Sequence, residues 1–138
     1  VGDGSSRESL EKMVGDLHLE DVKFTGRVDN SQIYEYLDNA DVMVSSPLID
    51  NMPVSVLEGM NAGLLVISSN VGGVPYMIED GVNGLLFPSG EFERLAEKMI
   101  SAVKSQEKTK SMIVKAYQGL DRYSWESVKQ KLMSVYEG

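Results

Sequence analysis

Hydrophobic positions along this chain switch between two spacings. Leu10, Met13, Val14 and Leu17 recur every three or four residues behind Ser5 and Ser6, which predicts a helix capped by one of those serines. Residues 22–26 (VKFTG) are short, β-branched and strand-like, and Ser31 then opens a helix carrying Ile33, Tyr34 and Leu37. Residues 41–46 (DVMVSS) read as a buried strand. Residues 54–61 read as a short helix ending at Gly63, and residues 64–69 (LLVISS) as a nearly all-apolar strand. Gly72-Gly73 predicts a turn, with Pro75 suited to the first turn of a helix, and residues 84–87 (GLLF) predict a strand closed by Pro88. From Glu91 onward the spacing is helical. Leu95, Met99 and Ala102 mark one helix, and Met112, Val114 and Tyr117 a second. Trp125, Val128, Leu132 and Val135 mark a third, capped by Ser124. Residues 104–110 are polar and read as a surface connection, and neither a repeat nor an internal linker is visible.

Strands that alternate with helices and are apolar on both faces imply a parallel sheet covered on both sides, with right-handed crossovers. The expected fold class is α/β, a Rossmann-like doubly wound sheet. Parallel strands bring the loops after Gly26, Ser46 and Ser69 to one edge, and ligands of open α/β sheets bind at that carboxyl edge.

Composition narrows the partners. The 138 residues suit one domain, with 42% apolar and 25% charged side chains, so a core is expected. A net charge of −8 argues against a nucleic-acid surface and against docking on anionic lipid. A small anion remains possible, because backbone N–H groups bind it without a basic field. The absence of cysteine removes disulfides, thiolate metal sites and cysteine nucleophiles, and suits the cytoplasm. Neither a signal peptide nor an apolar run of membrane length is seen. His18, the single histidine, falls near a predicted helix end where a cation is favourable; it reads as structural, and no metal is expected.

Residues 41–63 (DVMVSSPLIDNMPVSVLEGMNAG) are the most informative stretch. A strand leads through a loop to a helix whose first turn holds Pro53, Val54 and Ser55. Its exposed N–H groups and the helix dipole form a phosphate site. Asp50 lies just before that turn and Glu58 about five residues inside it, and helical side chains lean back toward the amino end. Two carboxylates flanking an anion suit the recognition of hydroxyl groups. Spacing alone favours a plainer alternative, with Asp50 or Asn51 as an N-cap and Glu58 a solvated helix residue.

The span from Asp50 to Glu58 resembles the Glu-x7-Glu motif of the glycogen-synthase-like, group 1 retaining glycosyltransferases of the GT-B fold. Further segments match in order: Val1-Gly2-Asp3-Gly4, residues 22–28 (VKFTGRV), Val71-Gly72-Gly73-Val74-Pro75 and residues 79–87 (EDGVNGLLF). Asp50 stands where the first Glu is usual, Tyr76 where a Glu often follows the glycine turn, and Leu65 where a Pro is usual. The resemblance implies that residues 1–138 are the nucleotide-sugar-binding domain of a two-domain enzyme, cut short on its N-terminal side. The acceptor-binding domain and the family's diphosphate-gripping Arg and Lys would lie before Val1, so this piece alone should be inactive.

The resemblance also implies site roles. Asp50 and Glu58 become the candidate catalytic residues, Glu58 on the donor ribose and Asp50 on the donor sugar. The N–H groups near Pro53, Val54 and Ser55 would touch the distal phosphate, the main chain at Arg27 and Val28 would flank the base, Gly26, Asn51 and Met52 would join the donor-binding set, and Gly72 and Gly73 could let the backbone approach the donor. For Gly72-Gly73 a plain turn, and for Arg27 a solvated loop arginine, remain as alternatives. The implied reaction is retaining transfer of a hexose-type sugar from a UDP or GDP sugar to a hydroxyl, in polysaccharide or glycolipid synthesis. It would need no metal or cofactor. The place would be the cytoplasm, with a peripheral seat on the inner face of a membrane open for the intact protein. Two other classes stay in play: a nucleotide-sugar epimerase of the same architecture, and a non-catalytic α/β binding module. Core packing is the expected job of Trp125 and of the eight methionines, while Lys104, Lys108, Lys110 and Lys115 read as a solvated face.

Overall fold

The computed structural model describes residues 1–136 and divides into two compact units, Val1–Tyr36 and Leu37–Gly138. The first unit holds α1 (Arg7–Asp16) and most of α2 (Ile33–Asp38). Ser6 is the N-cap of α1, although its side chain makes no capping hydrogen bond; its carbonyl accepts the Ser9 hydroxyl instead, at 2.7 Å. The helix ends in a Schellman motif. The His18 N–H bonds to the Gly15 carbonyl and the Leu19 N–H to the Val14 carbonyl, both at 3.1 Å. His18 occupies the left-handed position, with φ at 52°, where glycine is usual.

Residues 22–26, expected as a strand, form none. Gly26 makes only an isolated antiparallel bridge with Gly2. A strand exists by pairing, and this segment pairs at a single residue.

The second unit carries the sheet. Three parallel strands, β1 (Val42–Ser45), β2 (Leu65–Ser69) and β3 (Leu85–Phe87), lie in the order β1-β2-β3. Val42 pairs with Leu65 and Ile67 with Leu85. β2 is buried along its whole length because both its faces are covered. Alternation sends Val66 into one cluster with Val56 and Met60 of α3 (Val54–Asn61), Val74, Met77 and Ile78. Leu65 and Ile67 join Leu85, Phe87, Ala102 and Met112 in the other. The second cluster draws on α4 (Phe92–Lys104) and α5 (Gln106–Gln118). β1, expected as buried, is only half-buried, with Val44 39% exposed. As the edge strand of this sheet it has one neighbour where β2 has two.

Close approach shapes α3. A Cβ at Gly59 would lie 2.6 Å from the Met43 sulfur and 3.1 Å from Val66 Cγ2, so glycine lets the helix settle on the strands. α3 ends in the same Schellman motif as α1, here with Gly63 at φ 78°. The turn before β3 is tied by side chains. Asn83 Oδ1 accepts the Glu79 N–H at 2.7 Å, and its Nδ2 donates to the Met77 carbonyl at 3.1 Å. Asp80 accepts from the Leu86 N–H at 2.8 Å and from Lys98 Nζ at 2.9 Å.

Two further expectations are corrected. Residues 104–110 are not a connection, because α4 passes into α5 through Ser105 and the polar residues are the solvated face of α5. Trp125, which opens α6 (Trp125–Tyr136), is 65% exposed and not in the core, and Met13, Met52, Met99 and Met133 are also exposed. Ser124 does cap α6, accepting the Ser127 N–H at 3.2 Å.

Candidate functional site

The loops after β1 and β2 meet at the carboxyl edge of the sheet. Ser69, last residue of β2, donates its hydroxyl to the Pro47 carbonyl at 2.6 Å, and the Gly73 N–H donates to the Asp50 carbonyl at 3.1 Å. At Gly72 and Gly73 an added Cβ would fall on the carbonyl oxygens of Asp50 and Asn51 respectively. The two glycines are therefore required by the protein's own backbone: the loop at 50–52 lies flat against them.

The same loop delivers the chain to α3. Asp50 is half-buried and its Oδ1 accepts the Met52 N–H at 3.2 Å, a turn closed within three residues. Asp50 is therefore not the N-cap of α3, and neither is Asn51. That position belongs to Pro53, which is buried and extended, with ψ at 117°, and has no side chain to offer as a cap. The Pro53 carbonyl accepts the first bond of the helix, from Val56 N–H at 3.1 Å. The N–H groups of Val54 and Ser55 precede that bond, so they have no intrahelical acceptor. Val54 is exposed and Ser55 half-buried, while Glu58 stands one turn further in and is half-buried. The arrangement can hold an anion by main-chain donors, with carboxylates before and after it to accept from hydroxyl groups.

Gly26, Arg27 and Val28 belong to the first unit. Gly26 is buried with φ at 70°, and its carbonyl accepts from Gly2 N–H at 3.0 Å and from the Thr25 hydroxyl at 3.0 Å. Arg27 is exposed and Val28 half-buried. Nearby, Arg7 Nε bonds Glu11 at 2.7 Å, which raises the Arg7 pKa above its usual value.

Away from the carboxyl edge, a hollow of about 390 Å3 opens at the amino end of β1 between α4 and α5, lined by Asp41, Val42, Ala102, Thr109 and Ile113. It lies at the opposite ends of the strands from Asp50 and Gly73. Sequence reading missed two contributors to the site region. Ser69 looked like the tail of a strand, and only its place opposite Pro47 gives it a role. Arg122 donates to the carbonyls of Tyr76 and Met77, a link across more than forty residues that no local pattern signals.

The family model for glycosyl transferases of group 1 matches residues 1–119. The N-acetyl-alpha-D-glucosaminyl L-malate synthase of Bacillus anthracis is 31% identical over 139 residues, covering 99% of this chain and 35% of that protein. The amylovoran biosynthesis glycosyltransferase AmsK of Erwinia amylovora is 36% identical over 103 residues, covering 70% of this chain and 25% of that protein. Among solved structures, HepE of Anabaena in complex with UDP-glucose superposes with a TM-score of 0.82 at 26% identity, covering 99% of this chain and 39% of that one. The chain thus spans between about a quarter and two fifths of the length of these proteins.

Proposed function

The chain belongs to the glycosyl transferases of group 1, and on that premise we propose that it is the donor-binding portion of a retaining glycosyltransferase using a nucleoside diphosphate sugar. One observation carries the reading. The loop at 50–52, pinned on Gly72 and Gly73 at the carboxyl edge, leads directly into the first turn of α3 with Glu58 one turn beyond.

In this reading the distal phosphate accepts from the N–H groups of Val54 and Ser55, beside Asn51, Met52 and Pro53. Glu58 accepts from the ribose hydroxyls. Asp50 meets the transferred sugar through its carboxylate, whose Oδ1 is oriented by the Met52 N–H and whose Oδ2 carries no bond to that turn. The bond from the anomeric carbon to the diphosphate breaks, and the acceptor oxygen bonds to that carbon on the same face. The departing diphosphate oxygen takes the acceptor proton. No metal or cofactor takes part. Separately, for the first unit, we propose that Gly26, Arg27 and Val28 contact a nucleobase.

The rest of the intact protein is proposed to supply a second α/β domain that binds a glycan or lipid-linked acceptor, in the cytoplasm or on the inner face of a membrane. The relatives support a transferase with a nucleotide-sugar donor: one is an amylovoran biosynthesis glycosyltransferase, two are phosphatidyl-myo-inositol mannosyltransferases, and HepE was solved with UDP-glucose.

Saturation-transfer NMR of the full-length protein against a panel of nucleotide sugars tests the proposal. One donor should bind, and Glu58→Ala should weaken it by about 1–3 kcal/mol, the usual cost of losing hydrogen bonds to a charged group. A panel without a binder, or a Glu58→Ala protein that binds as the wild type does, removes the donor site. Conversion of the donor to its epimer instead of transfer would keep the site and replace the reaction.

A further inference from the structure

The carboxyl-edge loop is held from two ends. Residues 72–77 run from the glycine pair through a 3-10 turn, Val74–Tyr76, to Met77. Their near end meets Asp50 and Asn51. Their far end meets Arg122, in the 3-10 segment Gly119–Tyr123 between α5 and α6. Arg122 Nη2 donates to the Tyr76 carbonyl at 3.3 Å and to the Met77 carbonyl at 3.2 Å. These oxygens end the turn, where carbonyl dipoles collect negative charge and a cation is favoured. The guanidinium carbon also lies 4.8 Å from the centre of the Tyr123 ring. That ring is half-buried against the cluster that contains Met77 and Ile78, so the cation is steadied from behind.

We infer that Arg122 is a positioning residue for the donor site, acting through residues 72–77 on the Asp50–Met52 loop; the inference rests on the donor reading above. The arrangement separates this role from a general one in stability. Val74, Met77 and Ile78 are fully buried by other apolar side chains, whereas Arg122 is exposed. Removing the guanidinium leaves that core packed and the Met77 carbonyl still bonded to Asn83 Nδ2 at 3.1 Å, and it releases the Tyr76 carbonyl at the outer end of the segment. Movement there is passed on, because the glycine backbone and the carbonyls of Asp50 and Asn51 touch with no side chain between them to absorb it.

The test compares Arg122→Ala, Arg122→Lys, Asp50→Ala and the double variant Arg122→Ala with Asp50→Ala, all in the full-length protein. Arg122→Ala should raise the donor KM about three- to tenfold with kcat little changed, the range expected of a residue coupled to a site without touching the ligand. Arg122→Lys should recover part of the loss, because an ammonium still donates to one carbonyl. In the Asp50→Ala background the effect of Arg122→Ala should shrink toward none. Additive effects on donor affinity, or a fall in kcat that follows the folded fraction with KM unchanged, overturn the inference. A wild-type protein that binds no nucleotide sugar defeats the donor reading instead. The mechanical link is then read by itself: the amide resonances of Asn51, Met52 and Gly73 should shift in Arg122→Ala and stay in place in Arg94→Ala, and unmoved resonances in Arg122→Ala overturn it.

Discussion

The two units are held by different physics. In residues 1–36 only Gly26 is buried, and α1 buries no residue at all. The contacts of this part are short-range and polar: Arg7 of α1 with Glu11 and with Asp3 ahead of the helix, and Asp29 with Ser31. In the second unit two apolar clusters flank β2, and the polar contacts at the carboxyl edge sit on top of them. A contact that rests on a packed core has nowhere to go when it is disturbed, while one on an open surface can rearrange. The candidate loop around Asp50 stands in the first situation; Gly26, itself buried, is met by the far end of the partly exposed Arg7 side chain and stands in the second.

Gly73 and Gly26 turn that difference into the largest predicted effect. Gly73 has an ordinary φ of −89°, so a side chain there is opposed only by crowding, but the obstacle is the Asn51 carbonyl, which is backbone. Gly26 has φ at 70°, and a Cβ would meet Arg7 Nη1 at 3.0 Å, the far end of a flexible side chain. Gly73→Ala should therefore cost about 1–3 kcal/mol of stability and abolish donor binding, since relief requires moving the 50–52 loop. Gly26→Ala should cost about 1 kcal/mol, from the left-handed backbone alone. Thermal unfolding and donor titration of both variants measure the gap. Equal losses would show that the loop at 50–52 is as free to adjust as the surface near Arg7.

A smaller effect is expected at the two Schellman motifs, which share their hydrogen bonds and carry different residues at the left-handed position. Gly63 meets the left-handed position without strain and His18 does not. Gly63→Ala should destabilise α3 by about 1 kcal/mol, and His18→Gly should stabilise α1 by up to about 1 kcal/mol. Amide hydrogen exchange within each helix reads these changes locally. An α1 that exchanges faster in His18→Gly would mean that the imidazole makes a contribution outweighing the strain of its backbone.

What could be read in the sequence follows the same division. Residues 64–69 announced β2 because a strand buried on both faces must be apolar at successive positions, and Gly63 and Gly73 marked turns that the backbone requires. Residues 22–26 misled, since β-branched composition records a preference and a strand needs a partner along its length. Trp125 misled because bulk suggests burial, yet α6 buries none of its described residues. The helix dipole and carboxylate pattern around Pro53 was visible as spacing. Its support was not: Ser69 reaches Pro47 across 22 residues and Arg122 reaches Tyr76 across 46. Such contacts are made by the fold and leave no period in the chain.

The smallest predicted effect belongs to the polar side of the comparison. Asp29 Oδ1 accepts both the Ser31 N–H at 3.0 Å and the Ser31 hydroxyl at 2.9 Å, just before α2. The backbone bond first, and the hydroxyl second, favour the ionised carboxylate and lower its pKa below the usual value. A folded-state pKa below the unfolded one means that the contribution is complete above the ordinary carboxylate range and is lost as pH falls through the lowered value. The Ser31 amide resonance should therefore titrate with Asp29 at acid pH while the amides of β2 stay still. Asp29→Asn keeps an acceptor oxygen and removes the charge, so the Ser31 resonance should lose its pH dependence without losing the turn. A Ser31 amide that is flat in the wild type, or one that moves together with β2, would mean that the start of α2 is governed by packing after all.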